Sequence, residues 1–474
     1  MYGEELSRFE GSSRNKTMQP EQLGHISTLL HGTLEPDEAS RVYTRAVSVD
    51  SRQLNPGELF FALIDERNGH DFIMDAYTKG AIAAVVNHKL EIPIPQIIVR
   101  DTLVALGQLA AAYRQAIAPK TVAITGSVGK TTAREMIATV LKSKFKTHSA
   151  KHNYNNLIGL PLTLLDMNKG TEIAVVELGI NQPGEMERLV EISQPDIALI
   201  TAIAPVHTEG LDGIDKILSE KLKITNGLSS DAPLLLNTDF PKLAEVTETA
   251  HNRIITYAID SEADFRASNV RFRDGKSSFS AMDVDFELDV LGKAPIYAAL
   301  ATIATADVFG ISAMEVAQIL KNFPPQIHRM QLLQVGNIKI LDDSYNSSPI
   351  ALAEAIETMS KLTAHRKIAI LGDMLELGTF EEQYHREVIK LLLKYSIDGA
   401  VFFGKCMKYA FNESNAADFP GGLFWSDDYD DTLRTAQKII KDGDMVLIKG
   451  SHAMQMDRFV HDISIEWEVQ EDES

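Results

Sequence analysis

The amino-acid sequence predicts an α/β protein with three successive domains, and two observations carry this prediction. Short apolar runs rich in β-branched residues alternate with helical patterns along most of the chain. The chain also has 474 residues, which is enough for about two to four domains of ordinary size. The pattern divides into residues 19–118, 119–327 and 328–474, preceded by a polar segment, residues 1–18, that we expect to be a flexible extension.

The first of these blocks predicts a small N-terminal α/β domain. Two apolar runs, "LFFALI" at 59–64 and "AIAAVV" at 81–86, are typical of buried strands. A helical pattern rich in Ala and Leu then runs to Ala118, and Pro119 marks the boundary with the next block.

The second and third blocks each predict a mostly parallel sheet, because helical patterns separate most of their strand candidates. The candidates of the second block are "TVAIT" (121–125), "IAVVEL" (173–178), "IALITAI" (197–203), "PLLLN" (233–237) and "RIITYA" (253–258). Those of the third block are "IKILDD" (338–343), "KIAILGD" (367–373), "GAVFFG" (399–404) and "DMVLIKG" (444–450), which together predict a Rossmann-like sheet.

Composition and charge exclude several classes of function. The formal net charge of −20 disfavours nucleic acid as a partner, since binding to phosphate backbones needs clustered Lys and Arg. Cys406 is the only cysteine, so an intrachain disulfide is excluded. The sequence contains neither an apolar run of the roughly 18 residues that a membrane span needs nor a signal-peptide pattern. We therefore expect a cytoplasmic protein without membrane insertion.

A phosphate-binding loop follows the first strand of the second block. In "TGSVGKTT", two glycines let backbone N–H groups approach phosphate oxygens, Lys130 can reach the β- and γ-phosphates, and the Thr131 hydroxyl can bind Mg²⁺. Ile124 stands where the usual motif has its first glycine. The candidate nucleotide contacts are Gly126, Ser127, Val128, Gly129, Lys130, Thr131 and Thr132. Such a loop fits a switch, a motor, a kinase or a ligase, or a glycine-rich turn with a surface lysine.

Two residues at the ends of neighbouring strands are candidate metal ligands. Glu177 ends the run "IAVVEL", and His207 lies in the loop after "IALITAI". Because parallel strands end at the same edge of a sheet, both side chains are expected near the phosphate loop. The alternatives are a solvated strand-end carboxylate and a structural histidine.

Lys221 lies on the apolar face of a predicted helix, "GIDKILSEKLKITNGL". Lysine is rarely buried without a partner, so the side chain either extends past the core to solvent or faces the metal site. An amine removed from water could react with CO₂, and the resulting carbamate would be an anionic oxygen ligand for a second cation.

The motifs, taken together, resemble the Mur ligases of bacterial cell-wall synthesis, and among them the members that add D-Ala-D-Ala. The resemblance spans residues ~19 to ~465. It is carried by "DSRQLNPGELFFAL", "TGSVGKTT", "KHNYNNLIGLPLTLL", "VELGINQPGEM", "LDDSYNSSP", "ILGDMLELG" and "IKGS".

The resemblance implies a UDP-sugar-binding domain, a central ATPase domain and a C-terminal Rossmann-like domain. It also implies ATP-dependent amide formation through an acyl-phosphate, with UDP-N-acetylmuramoyl-tripeptide and D-Ala-D-Ala as substrates and two Mg²⁺ ions as cofactors. We expect the enzyme to be a monomer.

The same resemblance implies roles for individual residues. Lys130, Thr131, Glu177 and His207 match the phosphate and metal positions, and Lys221 matches a lysine that is carbamylated in the family. The implied substrate contacts are Ser51, Arg52, Asn155, Asn156, Lys449 and Ser451. The implied nucleotide contacts from the third block are Arg329, Asp343, Tyr345 and Asn346.

Three segments depart from the family pattern. Ala294, Pro295 and Ala298 stand where polar residues, two of them Asn, usually help to hold adenine, so adenine must be recognised by backbone groups or other side chains. Lys223 stands where a Glu commonly follows the carbamylated lysine. His452 and Asp457 replace a more usual Arg and Glu near the amine substrate.

Other functions stay open at this point. Within ligases, the alternatives are a Mur-type enzyme that adds the third amino acid and a folylpolyglutamate synthase. Outside them, a non-catalytic UDP-sugar or nucleotide-binding paralogue and a simple kinase are the remaining candidates.

Overall fold

A computed structural model of the chain describes residues 18–65, 67–150, 153–204 and 213–472, with side chains described as far as Trp467. Within these residues, three large sheets of five, seven and six strands follow one another along the chain. Helices cover the sheets, which confirms the predicted α/β class. Residues 1–17 and His207 lie outside the described residues.

The first sheet has the strand order β2-β7-β6-β5-β4 and is parallel except for its β2 edge. A two-stranded ribbon, β1 with β3, lies beside it. The strands are β1 (Glu21–Gln22), β2 (Thr33–Glu35), β3 (Tyr43–Thr44), β4 (Val47–Ser48), β5 (Leu59–Phe61), β6 (Ala83–Val86) and β7 (Gln96–Ile98). The helices are α1 (Leu23–Leu29), α2 (Ile73–Thr78) and α3 (Thr102–Ile117).

Met18, which we assigned to the flexible extension, is buried in the core of this first block with 2% of its surface exposed. The predicted start near Gln19 is therefore too late by at least one residue. At the other end of the block, α3 stops at Ile117, and Ala118 adopts a left-handed conformation with φ 54°. This conformation ends the helix one residue before Pro119, as the sequence predicts.

The second sheet is entirely parallel, with the order β14-β13-β12-β11-β8-β10-β9. Its strands are β8 (Lys120–Thr125), β9 (Thr147–Ser149), β10 (Ile173–Glu177), β11 (Ile197–Ile200), β12 (Pro233–Asn237), β13 (Arg253–Ala258) and β14 (Phe265–Arg266). The helices of this block are α4 (Lys130–Leu141), α5 (Gly159–Leu165), α6 (Glu185–Ser193), α7 (Ile214–Leu222), α8 (Pro241–Val246), α9 (Lys293–Val308) and α10 (Ala313–Leu320).

The strand order places a candidate ligand site at the carboxyl ends of three neighbouring strands. β8 lies between β10 and β11, so the chain winds to one side of β8 before it crosses to the other. In open α/β sheets, ligands bind at such a reversal of strand order, outside the carboxyl ends. The ends of β8, β10 and β11 carry the phosphate loop, Glu177 and the segment that leads to His207.

An antiparallel meander, which the sequence analysis did not predict, follows the second sheet. Its strands are β15 (Ser268–Arg273), β16 (Lys276–Ala281) and β17 (Val284–Leu288). Two-residue turns join them, at Asp274–Gly275 and at Met282–Asp283, and all four turn residues have positive φ. Such turns match the twist of paired strands.

The third sheet has the order β18-β19-β23-β20-β21-β22 and is parallel except for its β18 edge. Its strands are β18 (Gln331–Val335), β19 (Ile338–Asp342), β20 (Arg366–Gly372), β21 (Gly399–Phe403), β22 (Gly422–Ser426) and β23 (Asp444–Lys449). Its helices are α11 (Pro349–Lys361), α12 (Glu381–Lys394), α13 (Met407–Glu413), α14 (Tyr429–Ile439) and α15 (Asp457–Asp472). This arrangement agrees with the predicted Rossmann-like sheet.

The apolar cores join the first two sheets more closely than the third. One continuous cluster of buried residues extends from Met18 to Val246 and contains side chains from both the first and the second sheet. The third sheet has a separate cluster on each of its faces. Among the described residues, no helix has the length and apolar character needed to cross a bilayer.

Candidate active site

The phosphate loop joins the end of β8 to the start of α4. Gly126 and Gly129 have φ of 149° and 83°, conformations that favour glycine. A Cβ atom on Gly126 would lie 2.0 Å from the Thr201 hydroxyl oxygen, so the close approach of the two segments requires glycine. The loop therefore passes against the end of β11 and keeps its backbone N–H groups at the mouth of the sheet.

Hydrogen bonds fix the loop to the segment after β11. The backbone N–H of Ser127 donates to the Ala202 carbonyl at 2.8 Å, and the Ser127 hydroxyl donates to the Ala204 carbonyl at 2.9 Å. The Thr201 hydroxyl donates to the Val128 carbonyl at 2.5 Å. These contacts give Ser127 a structural role, which its position in the motif does not reveal.

Lys130, at the first position of α4, folds back over its own loop. Its ammonium donates to the Gly126 carbonyl at 2.8 Å. Burial lowers the pKa of Lys130, and the charge of Arg329 lowers it further, whereas the Glu177 carboxylate raises it. The turn that carries Arg329 lies beside the helix of the phosphate loop, because the Arg329 N–H donates to the Gln326 carbonyl and the Gln326 side chain accepts from Thr132.

Glu177 lies at the centre of the candidate site and is 2% exposed. Its two carboxylate oxygens accept different hydrogen bonds: the Thr131 hydroxyl donates to Oε2 at 3.1 Å, and the Asn155 amide donates to Oε1 at 2.9 Å. The structure thus joins the phosphate loop, the end of β10 and the segment before α5 at one carboxylate, as the sequence predicts for Thr131 and Glu177.

Arg134 is a residue of this site that the sequence analysis missed. Its side chain is 1% exposed, and one guanidinium nitrogen, Nη1, lies 3.6 Å from Glu177 Oε2. The other nitrogen, Nη2, lies 3.0 Å from Glu135 Oε1. The spacing of Arg134 from Lys130 is a signal that could have revealed it, because residues four apart share a helix face.

Lys221 is buried on α7, with 3% of its surface exposed, as its place on the apolar stripe predicts. Burial lowers its pKa well below the ordinary value, and the charge of Lys130 lowers it further, while Glu177 raises it. The amine is therefore within electrostatic range of both residues. The interpretation in which the side chain extends past the core to solvent is wrong.

The donor set of the described residues fits a hard divalent cation. The Thr131 hydroxyl and the Glu177 carboxylate offer oxygen atoms, the type of ligand that Mg²⁺ prefers. A further predicted ligand, His207, cannot be placed, because it lies outside the described residues. Among the residues that are described, no group of three or more His, Cys, Asp and Glu side chains is arranged to hold a metal ion.

Asn155 and Asn156 have different environments. Asn155 reaches Glu177, and a Cβ atom on Gly179 would lie only 2.7 Å from its carboxamide carbon. Asn156 accepts hydrogen bonds from the backbone N–H groups of Ile158 and Gly159, at 3.1 and 2.8 Å, next to the start of α5. The first contact belongs to the site, whereas the second is the ordinary capping of a helix. A substrate role for either residue stays a prediction.

The third block contributes a cluster of charged and aromatic side chains. The Arg329 guanidinium lies 4.1 Å from the centre of the Tyr345 ring. The Lys449 ammonium contacts Asp343 Oδ2 at 2.5 Å and the Asn346 carbonyl at 2.8 Å. Burial raises the pKa of Asp343, and the Lys449 charge opposes that change. The structure brings all five residues together, although the sequence analysis assigned Lys449 to the amine substrate and the other four to the nucleotide. Both roles stay predictions.

His452 and Ser451 follow β23 at the edge of that cluster. The His452 ring lies 5.2 Å from the Tyr345 ring, and its backbone N–H donates to the Asn346 side-chain oxygen at 3.3 Å. The Ser451 hydroxyl accepts from the Leu375 N–H at 2.8 Å. Ser451 thus fixes the loop after β20, and contact with substrate stays a prediction.

Ser51 and Arg52 lie on a short 3₁₀ helix of the first block, Ser51–Gln53. Ser51 is 6% exposed. Arg52 is largely exposed and pairs with Asp50 at 2.8 Å. The Lys79 ammonium donates to the carbonyls of both residues, at 2.9 and 3.1 Å. The two residues therefore belong to a basic corner of the first sheet, and their contact with a UDP-sugar stays a prediction.

The segment in which Ala294, Pro295 and Ala298 replace the usual polar residues forms the first turns of α9. Pro295 and Ala298 are buried there. Next to them, the Tyr297 hydroxyl donates to Asp239 at 2.8 Å, and Asp239 also accepts from the backbone N–H of Ile259 at 2.7 Å. The polar groups at this end of the sheet are thus engaged with each other, and the mode of adenine recognition stays open.

Comparison with known proteins matches two family models. The Mur ligase middle domain matches residues 124–306, and the Mur ligase, glutamate ligase domain matches residues 328–452. The chain is 32% identical over 447 residues to the UDP-N-acetylmuramoyl-tripeptide–D-alanyl-D-alanine ligase of Bacillus subtilis (strain 168). That match covers 93% of this chain and 97% of the relative.

Solved structures match over all three sheets. MurF from Acinetobacter baumannii superimposes with a TM-score of 0.88 at 25% identity, covering 94% of this chain and 99% of that one. The MurF ligase from Thermotoga maritima in complex with ADP gives a TM-score of 0.81 at 25% identity, covering 90% and 99% of the two chains.

Proposed function

The chain belongs to the Mur ligase family, and we propose that it is an ATP-dependent ligase that joins D-Ala-D-Ala to UDP-N-acetylmuramoyl-tripeptide in peptidoglycan precursor synthesis. One observation in the structure carries the proposal. The phosphate loop and the buried carboxylate of the neighbouring strand are joined by the 3.1 Å hydrogen bond from Thr131 to Glu177, beside the partly buried Lys130 and the buried Lys221. This arrangement is suited to phosphoryl transfer.

The product of the first step is an acyl-phosphate on the substrate. A carboxylate oxygen of the tripeptide attacks the γ-phosphorus of ATP, and the bond to the bridging oxygen breaks, which releases ADP. Two anions must approach each other in this step, so positive charge at the loop lowers the barrier. Lys130 and Arg329 supply that charge, and the backbone N–H groups of the loop orient the phosphates.

In the second step, the amine of D-Ala-D-Ala attacks the carbonyl carbon of the acyl-phosphate. An amide bond forms, inorganic phosphate leaves with its electron pair, and the amine loses one proton. Lys449 and Ser451 are the residues that we assign to the amine substrate, and Ser51 and Arg52 are assigned to the UDP-sugar. Asn155 and Asn156 are assigned to the reacting end of the tripeptide.

Mg²⁺ would be held by Thr131, Glu177 and His207, and when bound it supplies positive charge that offsets the charge of the phosphates.

We further propose that Lys221 forms a carbamate. Its neutral amine attacks CO₂, a C–N bond forms, and the nitrogen releases one proton, which leaves an anionic group with two oxygen donors. Burial favours the neutral amine that this reaction needs. The charge at this position then changes from neutral to negative beside the metal ligands.

The remaining assignments follow the same family. We propose a UDP-sugar-binding domain at 19–118, a central ATP-binding domain at 119–327 and a C-terminal domain at 328–474. Because Met18 is buried in the core of the first domain, that domain also includes residue 18, and the extension before it ends at residue 17. Asp343, Tyr345 and Asn346 hold the third-domain side of the nucleotide. The enzyme acts in the cytoplasm as a monomer.

Phosphate release tests the function directly. The purified chain is incubated with ATP, Mg²⁺ and UDP-N-acetylmuramoyl-tripeptide, with and without D-Ala-D-Ala. Phosphate and a UDP-linked pentapeptide should accumulate together only in the complete mixture. Release of ADP with a stable phosphorylated product would indicate a kinase, and absence of turnover would indicate a binding paralogue. Turnover with a single amino acid in place of the dipeptide would indicate another Mur-type ligase.

A further inference from the structure

Gln326 connects the segment between α10 and β18 to the helix of the phosphate loop. Its side-chain amide donates to Glu135 Oε2 at 2.5 Å. Its side-chain oxygen accepts from the Thr132 hydroxyl at 3.1 Å. Both partners lie in the first turns of α4: Thr132 directly follows Thr131, and Glu135 lies close behind it. A side chain from the segment that leads into the third block therefore contacts the element that binds phosphate.

A continuous polar path leads inward from Gln326. Glu135, its first partner, also contacts the Arg134 guanidinium at 3.0 Å. Arg134 in turn lies 3.6 Å from Glu177, and both of these side chains are almost fully buried. Three contacts thus connect the surface segment to the carboxylate assigned to the metal. Because a buried guanidinium can be moved only with its partners, the position of Glu135 constrains that of Glu177.

A second connection runs from Gln326 along the backbone. The Arg329 N–H donates to the Gln326 carbonyl at 3.2 Å and closes a turn. Arg329 is the cation whose charge acts on Lys130. The same residue therefore fixes α4 through its side chain and fixes the turn that presents Arg329 through its backbone.

We infer that Gln326 is a positioning residue that couples the docking of the third block on α4 to the placement of Glu177 and Arg329. The inference rests on the proposed function, since it takes Glu177 as a metal ligand and Arg329 as a phosphate contact. It goes beyond that function by assigning the coupling to one side chain that neither touches substrate nor lies in a recognised motif. A residue that only held the two segments together would change the free energy of unfolding but not the dependence of the ligation rate on Mg²⁺.

Exchanging the side-chain amide of Gln326 with the carboxylate of Glu135 tests this coupling. Gln326→Glu places two carboxylates against each other, so the apparent KM for Mg²⁺–ATP should rise about tenfold, the order of effect expected from pairs within one polar network. The double variant Gln326→Glu/Glu135→Gln again has one amide and one carboxylate at this contact, but at each other's positions. The double variant should recover most of the affinity. Gln326→Ala, which removes both side-chain hydrogen bonds without adding charge, provides the same measurement should the Glu variant fold poorly.

Gln383 is a matched control, because its amide donates to Glu387 at 3.1 Å on an exposed face of α12. Gln383→Glu creates the same repulsion far from the phosphate loop and should leave the Mg²⁺ dependence unchanged. An unchanged KM in both Gln326 variants would overturn the inference, and so would a folded Gln326→Glu variant that the exchange does not rescue. Wild-type activity measured in parallel separates these outcomes from failure of the proposed function.

Discussion

Lys130 is partly buried and lies at the start of a helix, and both properties act on the charge of its side chain. Burial and Arg329 disfavour the ammonium form, whereas Glu177 favours it. The hydrogen bond to the Gly126 carbonyl holds the side chain over the loop, where an incoming phosphate would be a better partner. These opposing effects on the pKa, together with the position of the side chain over the loop, indicate that the ammonium is placed to bind an anion.

Replacing Lys130 with alanine should remove most activity. The loss of one preorganised cation at the transferred phosphoryl group should lower kcat by about a hundredfold or more. Lys142→Ala, an exposed lysine next to the end of the same helix, should behave like the wild type. Steady-state kinetics of ligation, with circular dichroism to verify folding, would measure the difference. Near-normal turnover of the Lys130 variant would contradict the role of the phosphate loop.

Lys221→Ala should be nearly inactive and partly rescued by formate or acetate, because a small carboxylate can replace the oxygen donors of the carbamate. Labelled ¹³C-bicarbonate gives a readout besides activity: the wild type should show a carbamate carbon resonance, and Lys221→Ala should lack it. The resonance should strengthen as the pH rises, because only the neutral amine reacts with CO₂. Lys216→Ala, an exposed residue of α7, serves as the control.

Two results would count against the carbamate. One is full activity of Lys221→Ala without added carboxylate. The other is a ¹³C spectrum that does not differ between the wild type and this variant. Either result would leave Lys221 as an unmodified buried amine whose pKa is set by burial and by the charges of Lys130 and Glu177.

At the scale of the element, the phosphate loop depends on the close approach of Gly126 to the end of β11. Gly126→Ala would place a methyl group about where the Thr201 hydroxyl stands, so the loop must move and its N–H groups lose their alignment. Nucleotide binding should weaken by about tenfold or more, as expected when hydrogen bonds to a charged group are lost. Isothermal titration with an ATP analogue would measure the change.

Gly310→Ala is a control that distinguishes the strain of a positive φ from the steric clash with Thr201 expected in Gly126→Ala. Gly310 also has a positive φ, of 70°, but nothing lies within 4 Å of the position that a Cβ atom would take there, after the end of α9. Its variant should lose about 1 kcal/mol of stability and keep its affinity for nucleotide. Equal affinities of the two variants would show that the contact with Thr201 is not what requires glycine in the loop.

The sequence predicted the elements of the site better than the contacts within it. Apolar runs that are buried on both faces identified β8, β10 and β11, because parallel strands need no alternation of polar and apolar residues. The meander β15–β17 was missed, although its Asp274–Gly275 turn is a strong hairpin signal. Arg134 was missed although its spacing from Lys130 places both on one helix face. Gln326 could not be found, because its role depends on which segments lie side by side, and that follows from tertiary packing.

At the scale of the whole molecule, the first two sheets share a continuous apolar core, whereas the second block contributes a single buried side chain, Leu291, to the described apolar clusters of the third sheet. The polar contacts at this junction include the hydrogen bond between α4 and Gln326, in the segment that joins the two blocks, and the Lys293 ammonium, which lies 3.7 Å from Glu357 on α11. Interfaces of this kind permit relative motion more readily than a continuous core does. Since Arg329 and Lys449 come from the third block and Lys130 from the second, the active site depends on how these two blocks meet.

Ligand binding should therefore close the third block against the second, with the hinge near Pro324–His328. His328 and Met330 have positive φ, of 62° and 49°, so the chain changes direction sharply at this segment. Small-angle X-ray scattering should show a smaller radius of gyration with an ATP analogue, Mg²⁺ and UDP-N-acetylmuramoyl-tripeptide than without ligands, because anions at the junction attract cations from both sides. Lys130→Ala under the same conditions should stay at the radius of the free enzyme. Scattering curves of the wild type that do not change with ligands would remove the support for closure and would mean that the cations of the two blocks already stand in their catalytic positions.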